Sequence, residues 1–320
     1  MFRPEIRVLD CTIRDGGLVN KHKFSHEFVR KVYKALAEAG VDYMEIGYKN
    51  SDKLFSRSEY GPWKFCDDED IRKVREGIEN GPKVAVMVDI GRADLDAIKD
   101  RDESPFEMVR VAAYVKDIDK AIAHVNRFNA QGYETSINIM ASSRDRGPEL
   151  DEAIAQIQAE SKADVVYLVD SFGHYYQEQI DAMMERYKDK IVGREIGFHG
   201  HNNMQLAFGN TIEAIMRGAN FVDGTLFGIG RGAGNCTTEL LLSFLKNPKY
   251  DIRPVLDVVS SEMVPMIKKG DIEWGYIIPL MISGAFNVHP KDAIAWRAND
   301  NPERDNYRAF WEKTVGTGLD

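Results

Sequence analysis

Eight short runs of apolar and β-branched residues punctuate the chain at about 30-residue intervals, with segments of helical period between them. They are "IRVLDCTI" (6–13), "YMEIGY" (43–48), "KVAVMVDI" (83–90), "MVRVAAY" (108–114), "ETSINIM" (134–140), "VVYLVD" (165–170), "EIGFHGH" (195–201) and "FVDGTLFG" (221–228). Such runs are too apolar for a sheet with one face in water, so they read as parallel strands covered by helices. Eight strand–helix units are the number that closes a barrel of about 250 residues. An open doubly wound sheet is the competing arrangement. The segment "SHEFVRKVYKALAEAG" opens on a Ser cap candidate and closes on Gly40, and similar stops follow at "RFNAQG" and "IEAIMRGAN". No Gly/Ser- or Pro-rich linker interrupts the first 245 residues. The expected fold is therefore α/β: a TIM (β/α)8 barrel over residues 1–248. A helical C-terminal segment over 249–320 carries "EWGY" and several prolines, and folds against the barrel or a partner.

Composition narrows the function classes. A formal charge of −9 argues against general affinity for nucleic acid or an anionic membrane, though one local Arg outweighs a distant acidic surface for a small anion. The opening "MFRPEIRVLD" holds no apolar signal core and reads as mature structure. The apolar run "IIPLMISGAF" holds a Pro and falls far short of the roughly 20 residues a membrane helix needs. Cys11, Cys66 and Cys236 are odd in number and form no C-x-x-C pair, so a reducing cytoplasm is the simplest setting.

"EIGFHGHNNM" (195–204) places His199 and His201 two positions apart at a strand end. Strand side chains alternate faces, so both imidazoles project from one side, about 6–7 Å apart at Cα. That suits two ligands closing on one metal ion, and equally two unrelated half-exposed histidines. In a barrel of this kind, functional groups gather at the C-terminal strand ends. Strand 1 then presents Arg14 and Asp15 before Gly16–Gly17, strand 2 Glu45, and strand 5 Asn138. Strand 6 presents Asp170, Ser171 and His174, and strand 8 runs into "GIGRGAGN". Asp15, His199 and His201 make a mixed O/N site with open positions. Such a set suits Mn2+ foremost, with Co2+, Fe2+, Zn2+ or Mg2+ as alternatives, and Asn235 offers a further oxygen. Arg14 is either an ion-pair partner of Glu45 or Asp170, or a guanidinium facing a 2-oxo acid or its enolate. Glu45, Asn138, Asp170 and His174 are candidate substrate contacts.

Two loops need a reading. Gly228, Gly230 and Ala233 satisfy a G-x-G-x-x-A dinucleotide pattern, but no acidic strand end follows some 20 residues later. Glycines that let backbone amides approach a carboxylate or phosphate are the better reading. The loop over 49–66 is long for a barrel turn and carries Phe55, Arg57, Tyr60, Trp63 and Phe65. It either closes over substrate as a lid, with Arg57 or Lys49 reading an aldehyde's polar tail, or packs on its own aromatics.

"LDCTIRDGG", "GFHGHNN" and "GIGRGAGN", in this order, resemble the DRE-TIM metallolyases over about residues 6–245. That superfamily includes 4-hydroxy-2-oxovalerate aldolases, hydroxymethylglutaryl-CoA lyase, isopropylmalate and homocitrate synthases, and pyruvate-carboxylating domains. "VVYLVDSFG" and "GANFVDGTLFGIGRGAGN" look closest to the aldolases. The resemblance implies a divalent metal on Asp15, His199 and His201, with Asn235 a ligand in some branches. It implies Arg14 at the enolate oxygen and Ser171 at the substrate carboxylate or the bound oxo acid. Family aldolases carry a catalytic histidine three residues after the RDG aspartate, where this chain has Leu18. His22 lies four residues further on as the substitute, and Tyr276 of "EWGY" is a loose counterpart of a C-terminal tyrosine.

The expected activity is a class II aldolase that cleaves or forms a 4-hydroxy-2-oxo acid through a metal-bound pyruvate enolate. Its substrates would be pyruvate and an aldehyde, and His22, His174 or a metal-bound hydroxide would take the 4-hydroxyl proton. Family likeness further implies a homo-oligomer and an aldehyde dehydrogenase partner. The alternatives are a Claisen-type acyl-CoA synthase on the same metal site, a metal-dependent hydrolase, and a non-catalytic barrel subunit. A hydrolase would carry H-x-H on strand 1, not strand 7.

Overall fold

A computed structural model describes residues 2–298 and 300–315. All eight expected strands are present, as β1 (Arg7–Asp10), β2 (Tyr43–Tyr48), β3 (Lys83–Asp89), β4 (Met108–Ala113), β5 (Glu134–Ile139), β6 (Val165–Asp170), β7 (Glu195–Gly200) and β8 (Phe221–Gly224). Every neighbouring pair runs parallel, and β1 pairs with β8 to close the barrel in chain order, which excludes the open sheet. The first and last strands are shorter than their apolar runs, because "TIRD" and "TLFG" leave the ladder as turns.

Period-two alternation sorts side chains between lumen and helices. On β6, Val165, Tyr167 and Val169 join Leu9, Met108 and Phe221 inside, while Val166 and Leu168 pack outward against the helices. Met108 lies inside and Val109 and Val111 outside on β4, which turns the intervening Arg110 into the lumen at 0% exposure.

The outer helices are α1 (His26–Glu38), α2 (Asp68–Arg75), α3 (Ile118–Ala130), α4 (Pro148–Glu160), α5 (Gln177–Lys190), α6 (Ala207–Arg217) and α7 (Thr238–Leu245). Ser25 caps α1 by accepting the Phe28 N–H at 3.1 Å. The alternation is broken once: two 3-10 turns, not an α-helix, connect β3 to β4. "GRADLDAIKDRDESPFE" is acidic, ends near Pro105 and offers no apolar stripe long enough for a helix.

Among the described residues five further α-helices follow, α8 (Arg253–Val258), α9 (Val264–Lys269), α10 (Ile278–Ala285), α11 (Lys291–Trp296) and α12 (Tyr307–Val315), the first two joined by a π-helical turn over Val259–Met263. Leu280, Ile282, Ala293 and Phe310 form a small core with Ala233 from the loop after β8. Asn203 Nδ2 donates to the Leu280 carbonyl (3.1 Å), and Ser143 Oγ and the Asn287 side chain bond at 2.6 Å. These contacts seat α10 and the following loop on the C-terminal mouth of the barrel beside β5 to β8. Among the described residues no helix is long and apolar enough to cross a membrane, and the three cysteines are buried and free.

Candidate active site

Beyond Gly200 the chain leaves the ladder, and His201 meets Asn235 of the Gly-rich loop in an isolated bridge. His199 and His201 both face the lumen, as the alternation requires, and Asp15 comes up beside them from the turn after β1. Asp15 Oδ2 lies 4.0 Å from His199 Nε2 and 3.9 Å from His201 Nε2. One ligand atom from each of the three residues falls within 4.8 Å of the others.

A buried chain of alternating charge holds this group from below. Arg14 donates from Nη1 to Asp15 Oδ2 (2.5 Å) and from Nε to Glu45 Oε2 (2.6 Å). Arg110 donates from Nη1 to the same Glu45 oxygen (2.8 Å) and from Nη2 to Asp223 Oδ2 (2.6 Å). Asp223 then meets His199 Nδ1 at 3.0 Å. A carboxylate only accepts, so His199 carries its proton on Nδ1 and turns a bare Nε2 toward Asp15. That Nε2 is buried and has no hydrogen-bond partner, and neither has Asn235 Oδ1 beside it.

The residues fit a divalent cation. Burial pushes the Asp15 carboxyl up, but His201, Arg14 and His199 outweigh it and hold Asp15 well below the usual carboxylate range. Burial, with Arg231 and His199 nearby, pushes His201 down to about 3, so its ring is neutral. An ionised carboxylate and a neutral imidazole are ligand forms a metal requires. Cys11, His199 and Asp223 also approach one another, but burial pushes the Cys11 thiol far up and Sγ donates to the Gly224 carbonyl, so it stays a thiol.

The Gly-rich loop serves the site through its backbone. The Arg231 N–H donates to Asp15 Oδ1 (3.2 Å), and Asn235 Nδ2 donates to the same oxygen (2.9 Å). A Cβ on Gly230 would stand 2.0 Å from Asn235 Nδ2 and 2.7 Å from Asp15 Oδ1, so only glycine lets the loop come this close. The carboxylate these amides meet is the protein's own.

Above the group opens a cavity of about 350 Å3, lined by Arg14, Asp15, Asn138, Ser171, His199 and His201 among others. Ser171 Oγ accepts the Ala141 N–H (2.9 Å), which leaves its hydroxyl proton to donate. Asn138 Oδ1 accepts from Ser136 (2.7 Å), leaving its amide N–H groups. Arg14 Nη2 makes no bond within the described protein. Arg14 is paired to Glu45, as the ion-pair reading has it, and it also lines the cavity.

Several candidates lie elsewhere. Leu18, at the position of the absent histidine, does line the cavity, but His22 does not. The His22 ring is buried edge-on against Tyr48, whose own ring lines the cavity wall, and burial pushes it down to about 3. Glu45 is fully buried between Arg14 and Arg110 and does not line the cavity. Asp170 turns back to accept the His174 and Tyr175 N–H groups, and the His174 ring is tied by Nδ1 to the Gly284 carbonyl (2.7 Å). Tyr276 is 54% exposed and does not line the cavity.

The loop over 49–66 is packed rather than poised. Trp63 is buried and donates Nε1 to the Phe24 carbonyl (2.8 Å), and Phe55 and Tyr60 meet edge to face. Arg57 pairs with Asp67 and Asp52, and Lys49 with Asp68, so neither faces the cavity. Its cavity residue is Lys64.

His289, Lys64, Asp89 and Arg231 in the cavity wall, and Arg110 and Asp223 behind it, are among the residues that sequence reasoning missed. Asp223 and Arg110 did carry a signal, a charge inside an otherwise apolar run. His289 in "NVHP" carried none. It reaches the wall because the loop after α10 lies across the mouth, where its Nδ1 accepts the Lys291 N–H (3.1 Å) and its ring meets Phe172.

The HMGL-like family matches this chain over residues 5–261. A 4-hydroxy-2-oxovalerate aldolase of Thermus thermophilus is 35% identical over 265 residues, covering 81% of this chain and 75% of that protein. An oxaloacetate decarboxylase of Mycobacterium tuberculosis is 31% identical over 264 residues, 80% of this chain and 76% of that one. The crystallised N-terminal domain of a candidate aldolase from Bacteroides vulgatus superposes with a TM-score of 0.77 at 28% identity, covering 92% of this chain and 97% of that domain. The match to the family over most of the chain, together with aldolase relatives that share about a third of its residues, places the chain in the HMGL-like family as a carbon–carbon lyase.

Proposed function

We propose that the chain is a divalent-metal-dependent aldolase that joins pyruvate to an aldehyde, or cleaves the resulting 4-hydroxy-2-oxo acid, through the enolate of pyruvate. The observation that carries this reading is the convergence of Asp15, His199 and His201 with the Arg14 guanidinium at one cavity. Asp15, His199 and His201 would hold the ion, with Asn235 alongside and Mn2+ the best match to a mixed O/N set. Such an ion supplies Lewis acidity toward the oxygens of a bound 2-oxo acid.

The chain's own groups do the rest. Arg14 Nη2 faces the developing enolate oxygen, and its pairing with Glu45 and Asp15 fixes the guanidinium plane. Ser171 donates to the pyruvate carboxylate, and the Asn138 amide donates from the neighbouring strand end. In the addition direction, C3 of the enolate attacks the aldehyde carbon, the C3–C4 bond forms as the carbonyl π bond breaks, and the resulting alkoxide takes up from solvent a proton equivalent to the one that left C3 of pyruvate. His289 meets that oxygen. Its Nδ1 accepts the Lys291 N–H, so the neutral ring carries its proton on Nε2. Arg231 Nη1 lies 3.5 Å from that nitrogen, and since two donors do not bond each other the Nε2 proton is left for the alkoxide. Burial, then the Arg231 and Lys291 charges, push the ring down to about 4 and keep it neutral near pH 7.

Decarboxylation of oxaloacetate is a second reading. It leaves the same enolate and needs no group at a 4-oxygen, and a 31% identical relative is named for it.

The test is deuterium exchange at C3 of pyruvate in D2O, followed by NMR, on Mn2+-loaded protein against a chelated control and His199→Ala. Exchange that requires both the ion and His199 is expected. Metal-bound protein that leaves C3 protonated would overturn the reading.

A further inference from the structure

The cavity has two unlike halves. Asp15, His199, His201, Ser171, Arg231 and His289 line the side of β1 and β6 to β8. The opposite side, over the ends of β2, β3 and β4, is lined by Tyr48, Lys64, Asp89, Arg92 and Lys116. Pyruvate occupies the first half under the reading above, and nothing so far accounts for the second.

Lys64 is its centre. The residue is only 6% exposed, and its Nζ lies 4.5 Å from the Phe55 ring, 4.8 Å from Tyr48 and 5.3 Å from Tyr60. Three ring faces stabilise an ammonium but accept few of its three N–H donors. Among the described residues no carboxylate or carbonyl pairs with it. Asp89 is the carboxylate whose charge favours the ammonium, and it is held by Arg92 at 3.0 Å. Asp117 is held by Lys120 at 2.7 Å. Lys64 and Arg92 therefore face this half of the cavity around the one Asp89 carboxylate, and Lys116 stands beside Asp117, which is already paired with Lys120. A buried ammonium with unfilled donors is unfavourable unless an anion completes it. Burial pulls the Lys64 ammonium down for that reason.

We infer that the acceptor aldehyde carries an anionic group, a carboxylate or a phosphate, at the end remote from its carbonyl, and that Lys64 binds it with Arg92 and Lys116 at the rim. The inference rests on the aldolase reading for the word acceptor. Lys64 is then a specificity residue. A site built around a charged donor rejects the analogue that lacks the partner.

The experiment has two arms on metal-loaded, full-length protein. In the first, kcat/KM for addition of pyruvate is measured with propanal, succinic semialdehyde and glyceraldehyde 3-phosphate. At least one anionic aldehyde is expected to exceed propanal by about 100-fold. Lys64→Met is expected to remove that ratio, and Lys64→Arg to restore most of it. In the second arm, succinate and glycerol 3-phosphate are titrated calorimetrically into the native protein and Lys64→Met. At least a 10-fold weakening in the variant is expected for the favoured tail. Preference for succinate or for the phosphate identifies the group. Equal use of propanal and both anions, or affinities that Lys64→Met leaves unchanged, overturns the proposal. Absent C3 exchange of pyruvate would sink the aldolase reading alone, because the calorimetric arm still decides whether Lys64 holds an anion.

Discussion

At the scale of single residues, the imidazole that lines the cavity beyond the metal-site candidates is 267 positions away from the one the motif suggests. His22 follows "RDGG" but lies behind the Tyr48 ring. His289 stands in the cavity wall beside Arg231. Leu18 fills the intervening place with a side chain that exchanges no proton. Formation of the enolate does not involve the 4-oxygen, whereas carbon–carbon bond formation does. His289→Gln should therefore lower aldol turnover by about 100-fold or more while C3 exchange of pyruvate persists. Parallel measurement of both rates on one preparation checks this, and equal losses in the two would remove His289 from that role. The buried Asp223 acts differently: it touches no substrate and sets which nitrogen of His199 is bare.

At the scale of elements, β4 and the loop after β2 show what the barrel imposes on its parts. Arg110 sits mid-strand among apolar neighbours, fully buried, bridging Glu45 to Asp223 with its guanidinium over the Tyr167 ring. Removing one member of a buried charge network leaves the others uncompensated. Arg110→Met should cost about 3–5 kcal/mol in urea unfolding. A loss below about 1 kcal/mol would mean that Arg14 and His199 already neutralise the two carboxylates. The loop over 49–66 is held by a different device. Gly47 has φ +156°, and a Cβ there would stand 2.1 Å from the Trp63 carbonyl oxygen. Glycine alone lets Trp63 pack against β2, and that seat places the next residue, Lys64, in the cavity wall.

At the scale of the whole molecule, several buried titratable groups couple stability to pH. His22 has an ordinary value of 6.5 when unfolded and about 3 in the fold, with burial and then the Lys64 and Arg14 charges as causes. Its folded value is depressed, so its full contribution is present above pH 6.5 and is lost as pH falls toward 3. The unfolded chain takes up a proton that the native protein refuses. Each pH unit in that window costs about 1.4 kcal/mol. The Ile13 carbonyl is the backbone acceptor near the ring and lies outside hydrogen-bond geometry, so an apolar replacement gives up little. His22→Leu should flatten the fall in unfolding free energy between pH 6.5 and the acid limit of folding. His201 has the same sign and remains in the variant, so the slope is reduced but not abolished. Parallel curves for the two proteins would show that His22 is protonated in the native state.

The sequence by itself determined the barrel, its strand count and the convergence of Asp15, His199 and His201, because those depend on local and periodic features. Apolar β-branched runs define strands, period two sends Gly197 and His199 to one face, and a strand end followed by glycines marks the functional rim. Arg14, Asp15, Asn138, Ser171, His199 and His201 were legible for that reason. The tertiary structure decided the rest. Whether a polar residue at a strand end faces the cavity or turns back depends on which partner reaches it first: Glu45 met two arginines, Asp170 met two backbone amides, and the His174 ring met a carbonyl of α10. Lys64 and His289 enter the site through loops whose course is set by packing against distant residues, Trp63 against Phe24 in one case and Asn287 against Ser143 in the other. No periodicity encodes such contacts, because they join segments that the closing of the barrel brings together.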